Sequence, residues 1–189
     1  MDIVQRAKNI LLSPNSEWAV IAGEKTGVGD LYHGYILYMA AIPPVCSLIG
    51  FSLLFGRLSF GFGLIGALVQ YGLALAAVYF VALVAQWLAP KFGGRDDLGQ
   101  AMKLVAYSHT ASWVAGFLLL LPFLAIIGLI LALYGLYLLY AGTTPVMGVP
   151  PERAVTYTVA LIVTVIVVGF VISLVMSLFL GIGMMGMMV

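Results

Sequence analysis

One histidine inside a long uncharged tract is the side chain best suited to chemistry in this sequence. His109 lies beside Ser108, and an imidazole in apolar surroundings can exchange a proton, bind a ligand or hydrogen-bond to a neighbouring helix. The structural role is the expected one, and a proton-sensing or ligand role is the alternative. Pro43, Pro44 and Gln70 also interrupt apolar runs, so these residues and His109 form a candidate polar site.

The sequence offers no evident set of side chains for catalysis or metal binding. His33 is the one histidine that could pair with His109, and two histidines without a placed carboxylate make a weak metal site. Cys46 is the single cysteine, and we expect it to be a small buried hydrophobic residue. With no catalytic triad, paired carboxylates or nucleotide fingerprint, we expect no cofactor, no metal and no enzyme. The C-terminal segment contains four clustered methionines, which predict either a flexible apolar helix end or, as the alternative, a Cu(I) site. They are Met184, Met185, Met187 and Met188.

The densest polar cluster runs from Gly93 to Asp97. Two glycines followed by acidic residues are typical of a turn that ends in an aspartate N-cap of the next helix. The spacing does not match a phosphate-binding loop. The alternative is a docking epitope, and the candidate partner-binding residues are then Gly93, Gly94, Arg95, Asp96, Asp97 and Arg153.

The composition requires an outer surface that faces lipid. Hydrophobic residues make up 63% of the 189 positions and charged residues 8%, whereas a soluble domain carries about 25% charged residues. This is too little charge to cover a globule of this size, so we expect an all-α, polytopic protein in the lipid bilayer. A net charge of +1 argues against a nucleic-acid partner bound through bulk electrostatics.

Five apolar stretches are long enough to cross a bilayer, which requires about 20 residues per helix. Residues 1–30 precede them as a cytoplasmic, amphipathic or interfacial segment, and residues 31–189 form a bundle of five transmembrane helices. The tract from Leu104 to Ala141 is too long for one helix, and it breaks near Leu121–Pro122 because proline ends one helix and starts the next. The predicted spans cover about 31–55, 62–89, 104–121, 122–141 and 155–181.

The charges predict the orientation of this bundle. With five spans, Arg57 alone among the eight Lys and Arg residues falls on one side. The positive-inside rule places the other cations in the cytoplasm. We therefore expect a multi-pass protein of the inner or plasma membrane with its N-terminus inside and its C-terminus outside. The proposed spans carry no charge at mid-membrane, which counts against an ion-coupled transporter.

The first thirty residues predict two short helices. Apolar residues from Ile3 to Ile10 recur at helical spacing, and Arg6 is assigned to the polar part of the wheel. Ser13–Pro14 marks the start of the second helix, which contains Trp18. The two helices either lie in the headgroup plane with Trp18 as an interfacial anchor or pack on the cytoplasmic ends of the spans.

Small residues on the fifth span predict close helix packing. They recur every four residues, and such a ridge lets two helices approach closely in lipid. The ridge contacts either the other spans or a second copy of the chain, so the expected partners are another membrane protein or a homo-oligomer. Its residues are Gly169, Ser173, Ser177 and Gly181.

Short motifs occur in a specific order along nearly the whole chain. They are Pro14-x-x-x-Trp18-x-x-Ile21-x-x-Glu24, Ala41-Ile42-Pro43-Pro44, Phe92-Gly93-Gly94, Ala106-Tyr107-Ser108, Pro122, Tyr134-x-x-Tyr137-Leu138-Leu139-Tyr140-x-Gly142 and Pro145-x-Met147-x-x-Pro150. This set resembles the prokaryotic branch of the Yip (Ypt/Rab-interacting protein) membrane family. The resemblance implies a five-helix membrane domain, and it implies kinship with eukaryotic proteins associated with Rab-type GTPases and vesicle traffic.

These features favour a non-enzymatic scaffold, recruitment factor or accessory subunit that acts through its cytoplasmic face and lateral helix contacts. The alternative is a carrier, channel or lipid-handling protein for a neutral solute or lipid. The feature that favours this alternative is Pro43–Pro44, because a helix loses backbone hydrogen bonds at prolines and can break there around a cavity. A pocket that joins Pro43, Gln70 and His109 would favour this alternative.

Overall fold

The computed structural model describes residues 2–55, 60–120 and 124–187, and the regular structure within these residues is helical. Four helices are long and apolar enough to cross a membrane, and they contain residues 28–50, 63–92, 126–147 and 151–178. The prediction of an all-α, polytopic membrane protein is thereby confirmed.

The described residues form nine α-helices joined by short connections. A π-helical segment, Tyr32–Ile36, leads into α4, and 3₁₀ segments at Ala89–Phe92 and Gly116–Leu120 follow α5 and α7. The helices are α1 (Ile3–Leu12), α2 (Pro14–Gly23), α3 (Val28–Leu31), α4 (Leu37–Phe55), α5 (Phe60–Leu88), α6 (Leu98–Ser108), α7 (Thr110–Ala115), α8 (Ala125–Met147) and α9 (Pro151–Met187).

The central element of the bundle is α6. Every residue from Ala101 to Ser108 is buried, because α3, α5, α7 and α8 pack around it. The long helices α5, α8 and α9 instead expose apolar side chains along much of their length. Those exposed faces are the ones that can meet lipid.

The predicted third span, 104–121, is not one continuous helix. It comprises the end of α6, then α7 and a 3₁₀ segment, with an interruption at His109. Protein surrounds this stretch on several sides, and irregular backbone is tolerated at membrane depth where protein covers it. The predicted break near Leu121–Pro122 and the outer residue Arg57 lie outside the described residues.

The predicted interruption of the first span at Pro43–Pro44 is wrong, because α4 continues through both prolines. The 3₁₀ segment after α7 packs directly on them. A Cβ added at Gly116 would lie 2.8 Å from the Cα of Pro43. The close approach of this neighbouring segment covers the part of α4 where the prolines remove backbone N–H donors.

The described residues of the ridge on α9 do not pack within the chain. Gly169, Ser173 and Ser177 are exposed, and a Cβ added at Gly169 would meet no heavy atom within 4 Å. Of the two predicted contacts, the one with the other spans of the same chain is therefore wrong for these residues, because they face away from the bundle. Contact with a second copy stays a prediction, and the side chain at Gly181 lies outside the described part.

The N-terminal pair, α1 and α2, packs on the bundle. Trp18, Ile10 and Ile21 are fully buried, and the hydroxyl group of Tyr134 on α8 donates a 2.8 Å hydrogen bond to the carbonyl oxygen of Leu11. A buried Trp18 cannot anchor in the headgroup layer. Of the two alternatives for this segment, the structure shows the packed arrangement.

Candidate functional site

The loop between α5 and α6 is held rigidly by its backbone. Gly93 adopts a left-handed conformation with φ of +83°, which glycine reaches without strain. The N–H of Gly94 donates to the carbonyl oxygen of Ala89 at 2.8 Å, and the N–H of Arg95 donates to the carbonyl oxygen of Met147 at 2.8 Å. The second bond ties the loop to the end of α8.

The acidic residues of this loop cap and brace the neighbouring helices. Asp97 Oδ1 accepts a 3.0 Å hydrogen bond from the N–H of Gln100, so the predicted aspartate N-cap is present. Asp96 Oδ1 accepts a 2.7 Å bond from the side-chain amide of Gln86 on α5. Even so, the side chains of Arg95, Asp96 and Asp97 remain exposed.

Arg153 lies close to this loop in the fold. It is exposed in the first turn of α9, one turn after Pro150, and a Cβ added at Gly93 would lie 3.3 Å from Pro150 Cδ. The six predicted partner-binding residues thus share one end of the bundle. We call Gly93, Gly94, Arg95, Asp96, Asp97 and Arg153 the charged-end surface.

Beside this surface lies a buried ionic cluster that the sequence analysis missed. Arg6 is 2% exposed, and its guanidinium group forms ion pairs with Glu17 and Glu24. It also lies 5.4 Å from the ring centroid of Tyr107 on α6. Glu17 additionally accepts a 3.1 Å hydrogen bond from the Asn9 side chain. The cluster joins α1 and α2 to each other and to the central helix.

A second buried cation completes this attachment. Lys103 on α6 is 2% exposed, and its Nζ donates to the carbonyl oxygens of Ile21, at 3.3 Å, and of Glu24. Burial lowers the pKa of Lys103 from its usual value, while the nearby carboxylates of Glu24 and Asp97 act in the opposite direction. The cation thereby caps two carbonyl groups at the end of α2.

A signal for the Arg6 contact is present in the sequence. Arg6 follows Ile3 by three residues and precedes Ile10 by four, so the three side chains share one helix face. Its assignment to the polar part of the wheel is therefore wrong. A cation on a buried face needs a partner, and the sequence does not show which of the acidic residues supplies it.

The predicted polar site at Pro43, Pro44, Gln70 and His109 does not assemble. His109, Ser108 and Ser112 line a lateral cleft of about 170 Å³, and apolar residues of α5, α6, α8 and α9 form its other walls. Pro43, Pro44 and Gln70 are not among its lining residues. We call this space the His109 cleft.

The imidazole of His109 is oriented by its own helix. Its Nδ1 lies 2.8 Å from the carbonyl oxygen of Val105, so in the neutral ring Nδ1 carries the proton and Nε2 is left as an acceptor. Trp113 packs beside the ring, with centroids 5.8 Å apart. In the part of the chain that the structure describes, no group of three His, Cys, Asp or Glu side chains could hold a metal ion.

Substitution of Gly142 tests the docking of α2 on α8. A Cβ there would lie 2.7 Å from Trp18 Cε2 and 2.7 Å from Leu104 Cδ1, so we expect Gly142→Ala to destabilise the docked pair by about 1–3 kcal/mol. Tryptophan fluorescence during thermal unfolding in detergent measures this effect. The control is Gly128→Ala on the same helix, where a Cβ meets nothing within 4 Å. Equal stability of the two variants would contradict the close contact.

Comparison of the sequence with known proteins finds one matching family and relatives that are named as inner membrane proteins. The sequence profile of the Yip1 domain matches residues 8–188. The chain is 30% identical over 156 residues to the inner membrane protein YohC of Escherichia coli strain K12. The aligned region covers 77% of this chain and 80% of that protein. The protein of the same name from Escherichia coli O6:H1 matches equally well. No solved structure gives a significant match.

Proposed function

The chain belongs to the Yip1 family, and from that premise we propose that it is a non-enzymatic inner-membrane protein that recruits partners or serves as an accessory subunit. Its membrane location follows its relatives, which are named as inner membrane proteins. The charged-end surface faces the cytoplasm in this proposal, as the distribution of Lys and Arg predicts.

The observation that carries the proposal is the fixed backbone beneath exposed charges. The backbone N–H of Arg95 donates to α8, and the carboxylate of Asp96 accepts a hydrogen bond from Gln86 on α5. Both side chains are nevertheless exposed. The backbone of such a surface loses little conformational entropy when a partner binds, since the loop is already ordered. Cations and anions close together also favour a partner with a complementary charge pattern.

Photo-crosslinking in cells tests this recruitment surface. A photoreactive residue at Asp96 is expected to yield a discrete adduct with one membrane or cytoplasmic protein. Reversal of two neighbouring charges, Arg95→Glu with Arg153→Glu, is expected to reduce the adduct at least roughly tenfold, because like charges across an interface cost several kcal/mol.

The matched control reverses a charge in a different part of the chain, on the N-terminal helix α1. Lys8 is exposed on α1, outside the charged-end surface, so Lys8→Glu should leave the adduct unchanged. The recruitment proposal is wrong if no protein adduct forms, or if both reversals change the adduct to the same extent.

The His109 cleft favours a second candidate function, a carrier or lipid-handling protein for a neutral molecule. The cleft combines apolar walls with an imidazole acceptor and serine hydroxyl groups. Apolar walls with a few placed polar groups are typical of sites that bind a small uncharged molecule. This candidate depends on residues that the charged-end surface does not use.

A further inference from the structure

The His109 cleft lies at mid-depth in the bundle. Among its lining residues, Val165 is central in the apolar stretch 151–178 of α9, and Leu133 to Leu139 are central in α8. Leu133 is 58% exposed at the rim, so the cleft opens sideways between the helices. A molecule that enters from this side comes from the bilayer.

The chemistry of the lining excludes charged groups as occupants. No Asp, Glu, Lys or Arg belongs to the described lining, and an uncompensated charge at this depth is costly. Phospholipid headgroups carry a charged phosphate and do not fit these surroundings. An uncharged molecule is required.

The polar atoms of the cleft select among uncharged molecules. His109 Nε2 has no hydrogen-bond partner among the described residues, and it can accept a hydrogen bond from a ligand. Ser108 is committed, since its hydroxyl donates to the carbonyl oxygen of Leu104 at 2.7 Å. Ser112 lies 3.4 Å from the Cβ position of Gly135 and lines the same space. A ligand hydroxyl group can donate to His109 and can accept from Ser112.

We propose that the His109 cleft binds a neutral membrane lipid that carries a free hydroxyl group, of the diacylglycerol type, through His109 Nε2. The volume of about 170 Å³ is similar to the engineered cavity of about 150 Å³ that holds a benzene molecule. It therefore accommodates the hydroxyl-bearing end, while the acyl chains leave past Leu133 into the bilayer. This inference rests on the lipid-handling candidate and is independent of the charged-end surface.

Photolabelling of the full chain in lipid nanodiscs tests the assignment. The probe is a diacylglycerol with a diazirine on one acyl chain, and the matched probe has its free hydroxyl group replaced by a methyl ether. We expect the free-hydroxyl probe to label residues of the cleft roughly three- to tenfold more than the ether, which is the range of one net hydrogen bond. Mass spectrometry locates the labelled residues.

Two variants separate hydrogen bonding from folding. His109→Phe removes the acceptor but keeps a ring beside Trp113, and it should abolish the preference for the hydroxyl probe. Val165→Phe should fill the cleft and reduce labelling by both probes. His33→Phe is the control, because His33 likewise places Nδ1 at 2.9 Å from a carbonyl oxygen, that of Gly29, but lies outside the cleft. Equal labelling by the two probes, or an unchanged preference in His109→Phe, would overturn the proposal, whatever the crosslinking at Asp96 shows.

Discussion

Replacement of Arg6 by methionine is expected to detach α1 and α2 from the helix bundle. The substitution leaves the carboxylates of Glu17 and Glu24 facing each other without the cation that joins them. Loss of one partner from a buried ionic cluster costs about 3–5 kcal/mol of stability. Because Glu24 is partly exposed, we expect a cost near the lower value. The N-terminal pair should become sensitive to protease, and the emission of Trp18 should shift to the red as water reaches it.

The matched control is Lys8→Met on the same helix. Lys8 is exposed, so its removal should change stability by no more than about 0.5 kcal/mol. A triple variant, Arg6→Met with Glu17→Gln and Glu24→Gln, should recover much of the loss, because it also removes the two carboxylates that Arg6→Met leaves without their cation. If Arg6→Met and Lys8→Met showed the same protease sensitivity, the cluster would contribute nothing to docking.

The features predicted correctly from the sequence are those that depend on local chemistry. Apolar length alone predicts the long helices. The turn at Gly93 and the N-cap at Asp97 follow from glycine's access to positive φ and from a carboxylate next to unpaired N–H groups. Each of these features is determined by residues within a few positions of one another, so one sequence is sufficient to find them.

The features that sequence analysis missed depend on contacts between distant segments. Lys103 resembles the charged start of a span, but the carbonyl groups it meets belong to α2, about eighty residues earlier. The ridge at Gly169 has the spacing of a packing face, yet spacing does not reveal whether a neighbouring helix is present on that side. The central position of α6 likewise depends on which helices surround it, and hydropathy does not encode that arrangement.

A methyl group at Gly50 is expected to disrupt the contact between α4 and the segment after α7. A Cβ at Gly50 would lie 2.3 Å from the carbonyl oxygen of Leu119, and one at Gly116 would lie 2.8 Å from the Cα of Pro43. Both clashes involve backbone atoms, which cannot move aside as a flexible side chain can. The free energy of unfolding of each alanine variant should therefore fall by about 3 kcal/mol, the upper part of the range for overpacking. Its unfolding temperature should fall by roughly 6–12 °C.

The single cysteine reports this unfolding directly. Cys46 is 5% exposed and lies on α4 between Pro43 and Gly50, so a maleimide dye should label it only after the two segments separate. Gly72→Ala is the control, because a Cβ at this glycine on α5 meets nothing within 4 Å, and alanine is slightly favoured over glycine in a helix. The labelling temperature should fall for Gly50→Ala and Gly116→Ala and stay equal or rise for Gly72→Ala. Equal labelling temperatures in all three variants would mean that the segment after α7 does not press against α4 in the folded protein.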